Sequence, residues 1–396
     1  MVGIVCEYNP FHKGHLYQLQ AARRALGEDA AAVCVMSGDF VQRGEAALFD
    51  KFTRAEAACR AGADLVLELP LPWCLSSAEG FAFGAVSILK GMGCEALSFG
   101  SESADLAALE ALADFALSPD ALAAVYARMD RDETLSFARA RQLEAAARLG
   151  ERAALLLNPN DILAVEYLKA LRRLDADMEP LPVLRAGTGH DSREGEGFAS
   201  AMLLREKFER GEDPAEFIPE PAMGVFRRET EAGRTRDKSA LEIALLSRLY
   251  QMKSADFDRL PDAGGGAGRR LYKALEAASS LEAAVAAASG KRFTAARMRR
   301  MLLCAALGLC ADDTKGQPPY IRPLAANERG RACLAAARGR TEIPLVNRAA
   351  ELKRLDAEAR RLFALGAEAH ALYRLQFVTN VDRKADADWK RSMTFV

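Results

Sequence analysis

The chain has 396 residues, of which half are hydrophobic and 28% are charged, and its formal net charge is −1. This balance is typical of a soluble globular protein with two or three domains and a sizeable core. No apolar run approaches the ~20 residues of a membrane-spanning helix, and the first run is too short for a secretory signal, so we expect neither.

Short apolar runs alternate with helical patterns through the first hundred residues. Runs rich in Val, Leu and Ile, bounded by Gly, Pro, Asp or Ser, predict strands at residues 2–6, 31–36, 64–69 and 94–99. Apolar residues at helical spacing predict helices at residues 13–26, 50–61 and 77–92. This alternation predicts an α/β fold with a doubly wound parallel sheet, in which ligands bind at the carboxyl ends of the strands.

The middle of the chain continues with helices and one more strand. An Ala-rich helical pattern predicts a helical insertion at about residues 103–150. A helix over residues 160–174 follows, with Asn160 or Asp161 as its cap. We also predict a strand at residues 179–185 and a helix at residues 198–210.

A polar stretch with prolines, GEDPAEFIPEPAMG, predicts a linker at residues 211–224. The first domain then covers residues 1–210 and the second covers residues 225–396. The second domain is predicted to be mainly helical, with patterns at residues 238–253, 269–289, 294–309, 328–337 and 350–375.

The eight cysteines indicate the compartment. None forms a CxxC pair and most lie within apolar runs, as is typical of buried thiols rather than of a disulfide framework or a zinc site. We therefore expect a cytoplasmic protein without a cysteine metal site.

The charges are distributed unevenly along the chain. Residues 291–396 contain 21 Lys and Arg against 11 Asp and Glu, which leaves 33 basic and 44 acidic residues in residues 1–290. A basic C-terminal quarter suggests a polyanionic partner, although solvated helix faces are the alternative interpretation. The densest cluster lies in KRFTAARMRR, where Arg297 and Arg300 are expected to share a helix face. It comprises Lys291, Arg292, Arg297, Arg299 and Arg300.

Two of the four histidines lie in EYNPFHKGHL, directly after the first predicted strand. His12 and His15 are three residues apart at the start of the first helix, so both rings can point at one place near a helix N-terminus, which is itself an anion site. Gly14 between them lets a ligand approach the backbone. The pattern predicts a clamp for a phosphate group that gains charge during transfer. Satisfied surface histidines or chance metal ligands are the alternatives.

A second polar loop, SGDFVQRGE, follows the second predicted strand. Asp39, Gln42, Arg43 and Glu45 cluster in this loop and are candidates for binding acetate, a metal ion or the edge of cytosine, and Arg43 can hold a carboxylate through two hydrogen bonds. An ordered loop with internal salt bridges is the alternative. Lys51 and Arg54, about one helical turn apart, are expected to contact phosphate or only solvent.

These motifs resemble the HxGH nucleotidyltransferase superfamily and, more narrowly, the bacterial tRNA(Met) cytidine acetate ligase family. The resemblance runs through the first half of the chain and reappears in its last quarter. The segments that carry it are GIVCEYNPFHKGHL, VMSGDFVQRGEAALFDKFTRAEAACRAGADLVLELPLPW, AEGFAFGAVSILKGMGCEALSFGSE, NPNDILAVEYLKAL, PVLRAGTGHDS and YIRPLAANERGRACL.

The resemblance implies a Rossmann-like nucleotidyltransferase domain that activates acetate with ATP, with Mg²⁺ as a further cofactor. Acetyl-adenylate would then acetylate N4 of the wobble cytidine of elongator tRNA(Met). The implied partners are therefore acetate and a tRNA anticodon loop, with neither a membrane nor an obligate protein partner. His12 and His15 would be catalytic. The implied ATP contacts are Val5, Cys6, Glu7, Tyr8, Asn9, Pro10, Phe11, His12, Lys13, Gly14, His15, Leu16, Tyr17, Gln18, Gly100, Asn160, Asp161, Arg185, Ser200 and Arg205.

This chain departs from the family pattern at three places, one of which is His190, where an aromatic residue is commoner after Gly189. The family usually has two consecutive asparagines where this chain has Asn160 and Asp161, and in FASAMLLR the position of Met202 usually has a hydroxyl. A plain amphipathic helix is the alternative for that segment. The rival functions are another HxGH adenylyltransferase and a non-catalytic RNA-binding protein with a vestigial nucleotide site.

Overall fold

The apolar runs of the first half form the parallel part of a seven-stranded sheet. In the computed structural model, which describes residues 1–185 and 198–396, the strand order is β7-β6-β1-β2-β5-β8-β9. Strands β7, β6, β1, β2 and β5 are parallel. The strands are β1 (Val2–Cys6), β2 (Ala32–Ser37), β3 (Phe40–Val41), β4 (Glu45–Ala46), β5 (Leu65–Leu69), β6 (Ala96–Ser101), β7 (Glu179–Leu184), β8 (Arg322–Ala326) and β9 (Thr394–Phe395).

Helices separate the strands and make up most of the second half. The α-helices are α1 (Lys13–Leu26), α2 (Lys51–Arg60), α3 (Leu71–Cys74), α4 (Ala78–Gly91), α5 (Leu106–Leu117), α6 (Pro119–Arg131), α7 (Phe137–Leu149), α8 (Pro159–Arg173), α9 (Ala201–Glu209), α10 (Glu220–Glu231), α11 (Lys238–Leu249), α12 (Ser254–Phe257), α13 (Ala267–Ala277), α14 (Leu281–Ala288), α15 (Ala295–Ala306), α16 (Glu328–Ala337), α17 (Ala357–Arg374) and α18 (Ala387–Lys390). Short 3₁₀ helices cover Gly150–Leu157, Ala215–Phe217, Gly264–Gly266, Ala311–Thr314, Ala349–Arg354 and Asn380–Asp382. Within the described ranges, no helix is long and apolar enough to span a membrane.

Alternating residues of the strands pack into two separate cores. On β2, Val33 and Val35 belong to one apolar cluster, whereas Cys34 and Met36 belong to the other. Because successive side chains of a strand point to opposite faces, the sheet is covered on both sides. The doubly wound α/β fold predicted from the sequence is confirmed. The first core continues into the C-terminal helices through residues such as Met298.

Two strands of the sheet come from the C-terminal half and were missed from the sequence. Strand β8 pairs antiparallel with β5, and the two-residue β9 pairs with β8. Strand β8 was not predicted because it contains Arg322 and Pro323, and a charge and a proline are unusual in a central strand. The division into two domains stays a prediction, but residues of both halves complete one sheet.

The predicted linker at residues 211–224 packs against the protein. Phe217 and Ile218 are buried in the second core, and α10 already begins at Glu220. Pro219 precedes this helix, so a proline that looked like a linker signal marks a helix start. The end of the PVLRAGTGHDS segment, with His190, lies outside the described residues.

Candidate active site

The candidate site begins at the N-terminus of α1, where His12 is the N-cap residue. The Nδ1 atom of His12 accepts a hydrogen bond from the backbone N–H of Gly14 at 3.0 Å. The Nδ1 atom of His15 accepts one from the backbone N–H of His12 at 3.3 Å. The two imidazole rings are stacked, with centroids 3.7 Å apart and 25° between their planes. Because each Nδ1 is an acceptor, each neutral ring carries its proton on Nε2, where it can serve a ligand.

Both imidazoles are neutral at physiological pH. Burial lowers the pKa of His12 to about 3, and the nearby Arg185 cation adds to the effect. Burial, followed by His12 and Arg185, also lowers the pKa of His15 well below its usual value. Two neutral N–H donors can therefore stabilise charge that develops on a phosphate without first taking up a proton.

Gly14 leaves room for the His12 ring. A Cβ atom on Gly14 would lie 2.9 Å from Cε1 and 3.0 Å from Nδ1 of His12. Its next neighbour would be Phe198 at 3.8 Å, whose ring also meets Tyr17 with centroids 6.2 Å apart. The sequence suggested that this glycine admits a ligand. In the structure it also prevents a collision with an imidazole.

Arg185 and Gly100 lie beside the histidine pair. The backbone N–H of Arg185 donates to the carbonyl of Ser101 at 3.0 Å. A Cβ atom on Gly100 would lie 3.5 Å from Cγ of Arg185. Since the Arg185 cation lowers the pKa of both histidines, its guanidinium acts on the same place as the two rings. The structure thus brings four predicted site residues together.

Arg205 connects α9 to the segment that precedes α1. Its Nη1 donates to the carbonyl oxygen of Asn9 at 3.0 Å, and the Asn9 side chain accepts from the backbone N–H of Leu48 at 2.7 Å. Ser200 is the N-cap of α9, where its hydroxyl oxygen accepts from the backbone N–H of Leu203 at 3.2 Å. The hydroxyl hydrogen of Ser200 still remains available to a ligand.

Several predicted ATP contacts instead support the imidazoles. Tyr8, Asn9, Pro10 and Phe11 are buried, and the rings of Tyr8 and Phe11 have centroids 4.8 Å and 5.6 Å from that of His15. Their side chains form the wall behind the rings, and contact of these residues with ATP stays a prediction. Of the other residues in this run, Val5, Cys6, Glu7, Leu16 and Gln18 are partly exposed, and Lys13 and Tyr17 are exposed.

Asp161 is a structural residue, contrary to the prediction that it contacts ATP. It is fully buried, and its Oδ1 accepts from the side chains of Ser101 and Ser103 and from the backbone N–H groups of Glu102 and Ser103. Its Oδ2 accepts from Asn158 at 2.9 Å. The carboxylate therefore holds the loop after β6 against α8.

The cap of α8 was also predicted wrongly. Asn158, before Pro159, is the N-cap residue, so Asn160 and Asp161 lie in the first turn. The Asn160 side chain donates to Oε1 of Glu102 at 2.6 Å. Asn160 is partly exposed, and its contact with ATP stays a prediction.

The loop between β2 and α2 has a buried and an exposed part. Asp39 is 5% exposed, and its two carboxylate oxygens bind the backbone N–H of Lys51 at 2.9 Å and Nδ1 of His370 at 2.8 Å. Burial alone would raise the pKa of Asp39, but His370 and Lys51 lower it to about 2. The predicted role of Asp39 in substrate binding is corrected, because both oxygens already have partners.

Gln42 and Arg43 lie in the exposed part, close to Glu7. The backbone N–H of Gln42 donates to Oε1 of Glu7 at 2.8 Å, and Arg43 is exposed. Burial raises the pKa of Glu7, an effect opposed by the Gln42 hydrogen bond and by Arg43, Arg54 and Arg205. Substrate binding by Gln42 and Arg43 stays a prediction.

Lys51 and Arg54 contact neither phosphate nor solvent. Lys51 is 1% exposed and its Nζ bridges Glu68 at 2.8 Å and Asp388 at 2.9 Å. Arg54 is fully buried and donates to the backbone carbonyls of residues 7, 37, 38 and 49. Both cations therefore support the fold, and the two alternatives drawn from the sequence are wrong.

The predicted basic cluster is only partly available to RNA. Arg297 donates to the carbonyls of Asp262 and Gly264, and Arg300 pairs with the Asp262 carboxylate at 3.1 Å. These two arginines share a face, as predicted, but that face packs against the turn at residues 262–264. Arg299 pairs with Glu282 at 3.1 Å. Two members of the cluster are exposed, Lys291 and Arg292.

A metal site built from side chains is not evident around the histidines. In the part of the chain that the structure describes, no group of three or more His, Cys, Asp or Glu residues could hold a metal ion. The charged groups beside the rings are the cations Arg185 and Arg205. The expected Mg²⁺ stays a prediction, and no reaction step is assigned to it.

Sequence reasoning missed Arg236, a residue close to the site whose side chain is largely buried. It lies at a cavity that also contains Glu45 and Arg205, and its Nη1 donates to the carbonyl of Ala46 at 3.0 Å. Nothing in its local sequence distinguishes it, because the two halves of the chain meet only in the folded protein.

Known proteins with related sequences identify the family. The family model described as HIGH Nucleotidyl Transferase matches residues 1–388. The tRNA(Met) cytidine acetate ligase of Syntrophotalea carbinolica is 37% identical over 384 residues, which cover 94% of this chain and 89% of that protein. The enzyme of the same name from Caldanaerobacter subterraneus is 33% identical over 399 residues and covers 97% of both chains.

Solved structures extend the similarity to the whole fold. Apo TmcAL of Thermotoga maritima superposes with a TM-score of 0.92 at 29% identity, covering 100% of this chain and 99% of that one. The same protein bound with alpha-thio ATP gives a TM-score of 0.91 with the same coverage. This chain therefore belongs to the HIGH nucleotidyl transferase family and, within it, to the tRNA(Met) cytidine acetate ligases.

Proposed function

We propose that this protein is an ATP-dependent tRNA(Met) cytidine acetate ligase, which activates acetate and transfers the acetyl group to N4 of the wobble cytidine of elongator tRNA(Met). The observation that carries the proposal is the stacked His12 and His15 pair at the N-terminus of α1, with Arg185 beside it. The relatives of the same name and the Thermotoga maritima structure with an ATP analogue support ATP as the nucleotide.

In the first step, an acetate oxygen attacks the α-phosphorus of ATP. A bond forms between that oxygen and phosphorus, the bond from phosphorus to the leaving pyrophosphate breaks, and acetyl-adenylate results. The Nε2–H groups of His12 and His15 donate hydrogen bonds to the α-phosphate oxygens as their charge increases. Arg185 and Arg205 neutralise the triphosphate, so the protein acts mainly by positioning and charge stabilisation.

In the second step, the exocyclic amine of the cytidine attacks the acetyl carbonyl carbon. A carbon–nitrogen bond forms, the carbon–oxygen bond to AMP breaks, and the amine releases one proton. AMP is the leaving group, so this step needs no further cofactor. The cytidine must be turned out of the anticodon loop, as bases of single-stranded RNA commonly are when a protein reads them.

We assign the tRNA backbone to the exposed basic residues of the C-terminal quarter. Lys291 and Arg292 of the predicted cluster are exposed, and residues 291–396 hold ten more basic than acidic residues. Phosphate contacts of this kind release counterions, so affinity should fall steeply as salt rises from about 50 to about 200 mM. A tRNA affinity that stayed unchanged over that salt range would contradict the assignment of the tRNA backbone to these residues.

The site would function with Mg²⁺ held mainly by the triphosphate, because the described residues around the histidines offer no cluster of acidic ligands. We also propose a cytoplasmic location. All eight cysteines are free thiols, which suits a reducing compartment.

The proposal is tested by incubating the protein with ATP, labelled acetate and tRNA and then analysing the nucleosides. We expect labelled N4-acetylcytidine. As a control, ATP with a methylene group between its α- and β-phosphates should give none, because that bond cannot be cleaved. Label that entered tRNA without ATP, or no label in cytidine, would contradict the proposal. Pyrophosphate release with a mononucleotide in the absence of acetate and tRNA would favour the adenylyltransferase rival.

A further inference from the structure

A cavity of about 450 Å³ opens where the two halves of the chain meet. It lies between the loop at residues 44–46 and helices α9, α11, α14 and α15. Leucines line its apolar part, among them Leu241, Leu245 and Leu302, and charged side chains lie around them. This volume and this mixture of apolar and polar groups are typical of a site for a small ligand.

The cavity adjoins the nucleotide site through Arg205. The Arg205 side chain lines the cavity, and its guanidinium donates to the carbonyl of Asn9, three residues before His12. A group bound in the cavity would therefore lie next to the segment that holds the two histidines. This is where the acceptor of an activated acetyl group has to be.

Most charges around the cavity are already paired. Glu209 binds Arg236 and Lys238, and Arg299 pairs with Glu282 at 3.1 Å. Their contribution is to fix the walls of the cavity, since paired charges at a surface add little further binding.

Several groups at the cavity keep unused hydrogen-bonding capacity, and Glu45 and Arg236 are two of them. Across residues 1–185 and 198–396, the carboxylates of Glu45 and Glu206 have neither a hydrogen bond nor an ion pair, and of these two it is Glu45 whose charge acts on Arg236. The Arg236 side chain is 7% exposed, yet its Nε has no partner in the same part of the chain. Because Nε is itself shielded, the donors left for a ligand are the second N–H groups of Nη1 and Nη2, whose first ones bind the Ala46 carbonyl and Glu209.

These two groups match the hydrogen-bonding edge of cytosine. A carboxylate accepts from the N4 amine of cytosine, and a guanidinium donates to the oxygen or nitrogen acceptors beside it. The leucines offer an apolar surface for the flat ring. Uracil has a carbonyl in place of the amine, so it would place an acceptor against the Glu45 carboxylate.

We propose that this cavity receives the target cytidine, turned out of the tRNA loop, with Glu45 accepting from N4 and Arg236 donating to the pyrimidine carbonyl. The inference rests on the proposed function and adds to it the site and the residues that distinguish cytidine from uridine. Glu45 is then a specificity residue of the second step and has no part in the activation of acetate.

The experiment separates the two steps in the full-length protein. Acetate-dependent exchange of pyrophosphate into ATP reports the first step, and acetyl transfer to tRNA(Met) reports both. Two variants alter the cavity. Glu45→Gln keeps the side-chain size but can donate as well as accept. Leu281→Trp fills the cavity from a lining residue that is partly exposed and therefore tolerates a larger side chain. Ile243→Trp is the matched control, since Ile243 is 69% exposed on α11 and does not line the cavity.

We expect pyrophosphate exchange within about twofold of wild type in all three variants. Acetyl transfer should fall about 10- to 100-fold in Glu45→Gln and Leu281→Trp and stay unchanged in Ile243→Trp. Competition between tRNA(Met) and the same tRNA with uridine at the target position gives a further readout. The preference for cytidine should fall about tenfold in Glu45→Gln, because an amide can also donate to the uracil carbonyl.

Three results would overturn the inference. Transfer at the wild-type rate in both cavity variants would show that the cytidine binds elsewhere. A loss of exchange as large as the loss of transfer would assign the cavity to ATP or acetate. If Glu45→Gln kept the wild-type preference for cytidine over uridine, Glu45 would not take part in recognising the base. Failure of the proposed function is distinguishable, because the wild-type protein would then show no acetate-dependent exchange.

Discussion

Two groups of charged side chains at the carboxyl edge of the sheet differ in how their charges are balanced. In the first, which we call the buried network, Lys51 and Arg322 bridge Glu68 and Asp388 with nitrogen–oxygen distances of 2.8 to 3.3 Å. All four side chains are at most 8% exposed. The buried network has two positive and two negative charges, so it is neutral without a ligand.

The second group is the candidate site, with His12, His15, Arg185 and Arg205. Backbone groups fix it: two N–H groups hold the imidazoles, and the carbonyl of Asn9 holds Arg205. Among the described residues, none of these four side chains forms an ion pair with an acid. Such a site keeps its positive potential for a polyanion such as a triphosphate.

This comparison shows that a predicted phosphate ligand has to remain accessible and without an acidic partner in the folded protein. Lys51 and Arg54 look like phosphate ligands in the sequence, as His12 and Arg205 do, but Lys51 and Arg54 are buried among acids and carbonyls of the same chain. His12 and Arg205 are partly exposed. A buried ion pair is weak evidence for stability as a whole, yet the loss of one partner is costly because the other charge stays buried. The two groups should therefore respond to mutation in different ways.

The largest effect on stability is expected when the buried network loses one acid. In Asp388→Ala, the cations Lys51 and Arg322 would share only Glu68, so the free energy of unfolding should fall by about 3–5 kcal/mol. Urea denaturation of the wild-type protein and of the variant measures this change in the free energy of unfolding. Asp386→Ala is the matched control, because Asp386 forms an exposed pair with Lys390 and should cost under about 1 kcal/mol. Equal losses in the two variants would contradict the role of the network.

A smaller effect is expected at Asp161, a buried charge whose partners are all neutral. Asp161→Ala would leave the Ser101 hydroxyl and two backbone N–H groups without an acceptor, at a cost of about 3 kcal/mol. Asp161→Asn should cost about 1 kcal/mol, since its carbonyl keeps those donors and the Asn158 amide can turn to accept from the new N–H. Thermal or urea unfolding measures both. A loss in the asparagine variant as large as in the alanine variant would mean that the charge itself is required.

The smallest effect is expected from titration of Asp39. Its folded pKa of about 2 lies below the unfolded value of 3.8, so its stabilisation is present above about pH 4 and is lost as the pH falls towards 2. The loss should be on the order of 2 kcal/mol. Unfolding of wild type and Asp39→Asn, measured from pH 5 to pH 2.5, should converge at low pH. Parallel curves would show that Asp39 does not contribute.

The sequence predicted what depends on local pattern. The first five parallel strands of the sheet lie within two residues of their predicted bounds, because short apolar runs with turn residues at both ends are specific. His12 and His15 were found by their spacing and by their place after β1. Arg185, Gly100 and Arg205 came from the resemblance to a family rather than from the pattern.

Interactions between residues that are far apart in the chain could not be predicted from the sequence. Lys51 and Asp388 are 337 residues apart, so no local feature shows that Lys51 is paired. The same holds for β8, which pairs with a strand more than 250 residues earlier, and for Arg297, whose acceptors are carbonyls 33 and 35 residues away. Which charges remain free for a ligand is decided by the tertiary fold.

The most direct test of the account is acetate-dependent pyrophosphate exchange in His12→Asn, corrected for the folded fraction. Asparagine can still cap α1, so the variant removes the imidazole N–H without removing the helix start. We predict exchange about 100- to 1000-fold slower than wild type, with a free energy of unfolding within about 1 kcal/mol. Exchange within about twofold of wild type would contradict the role of the histidine pair in holding the reacting phosphate.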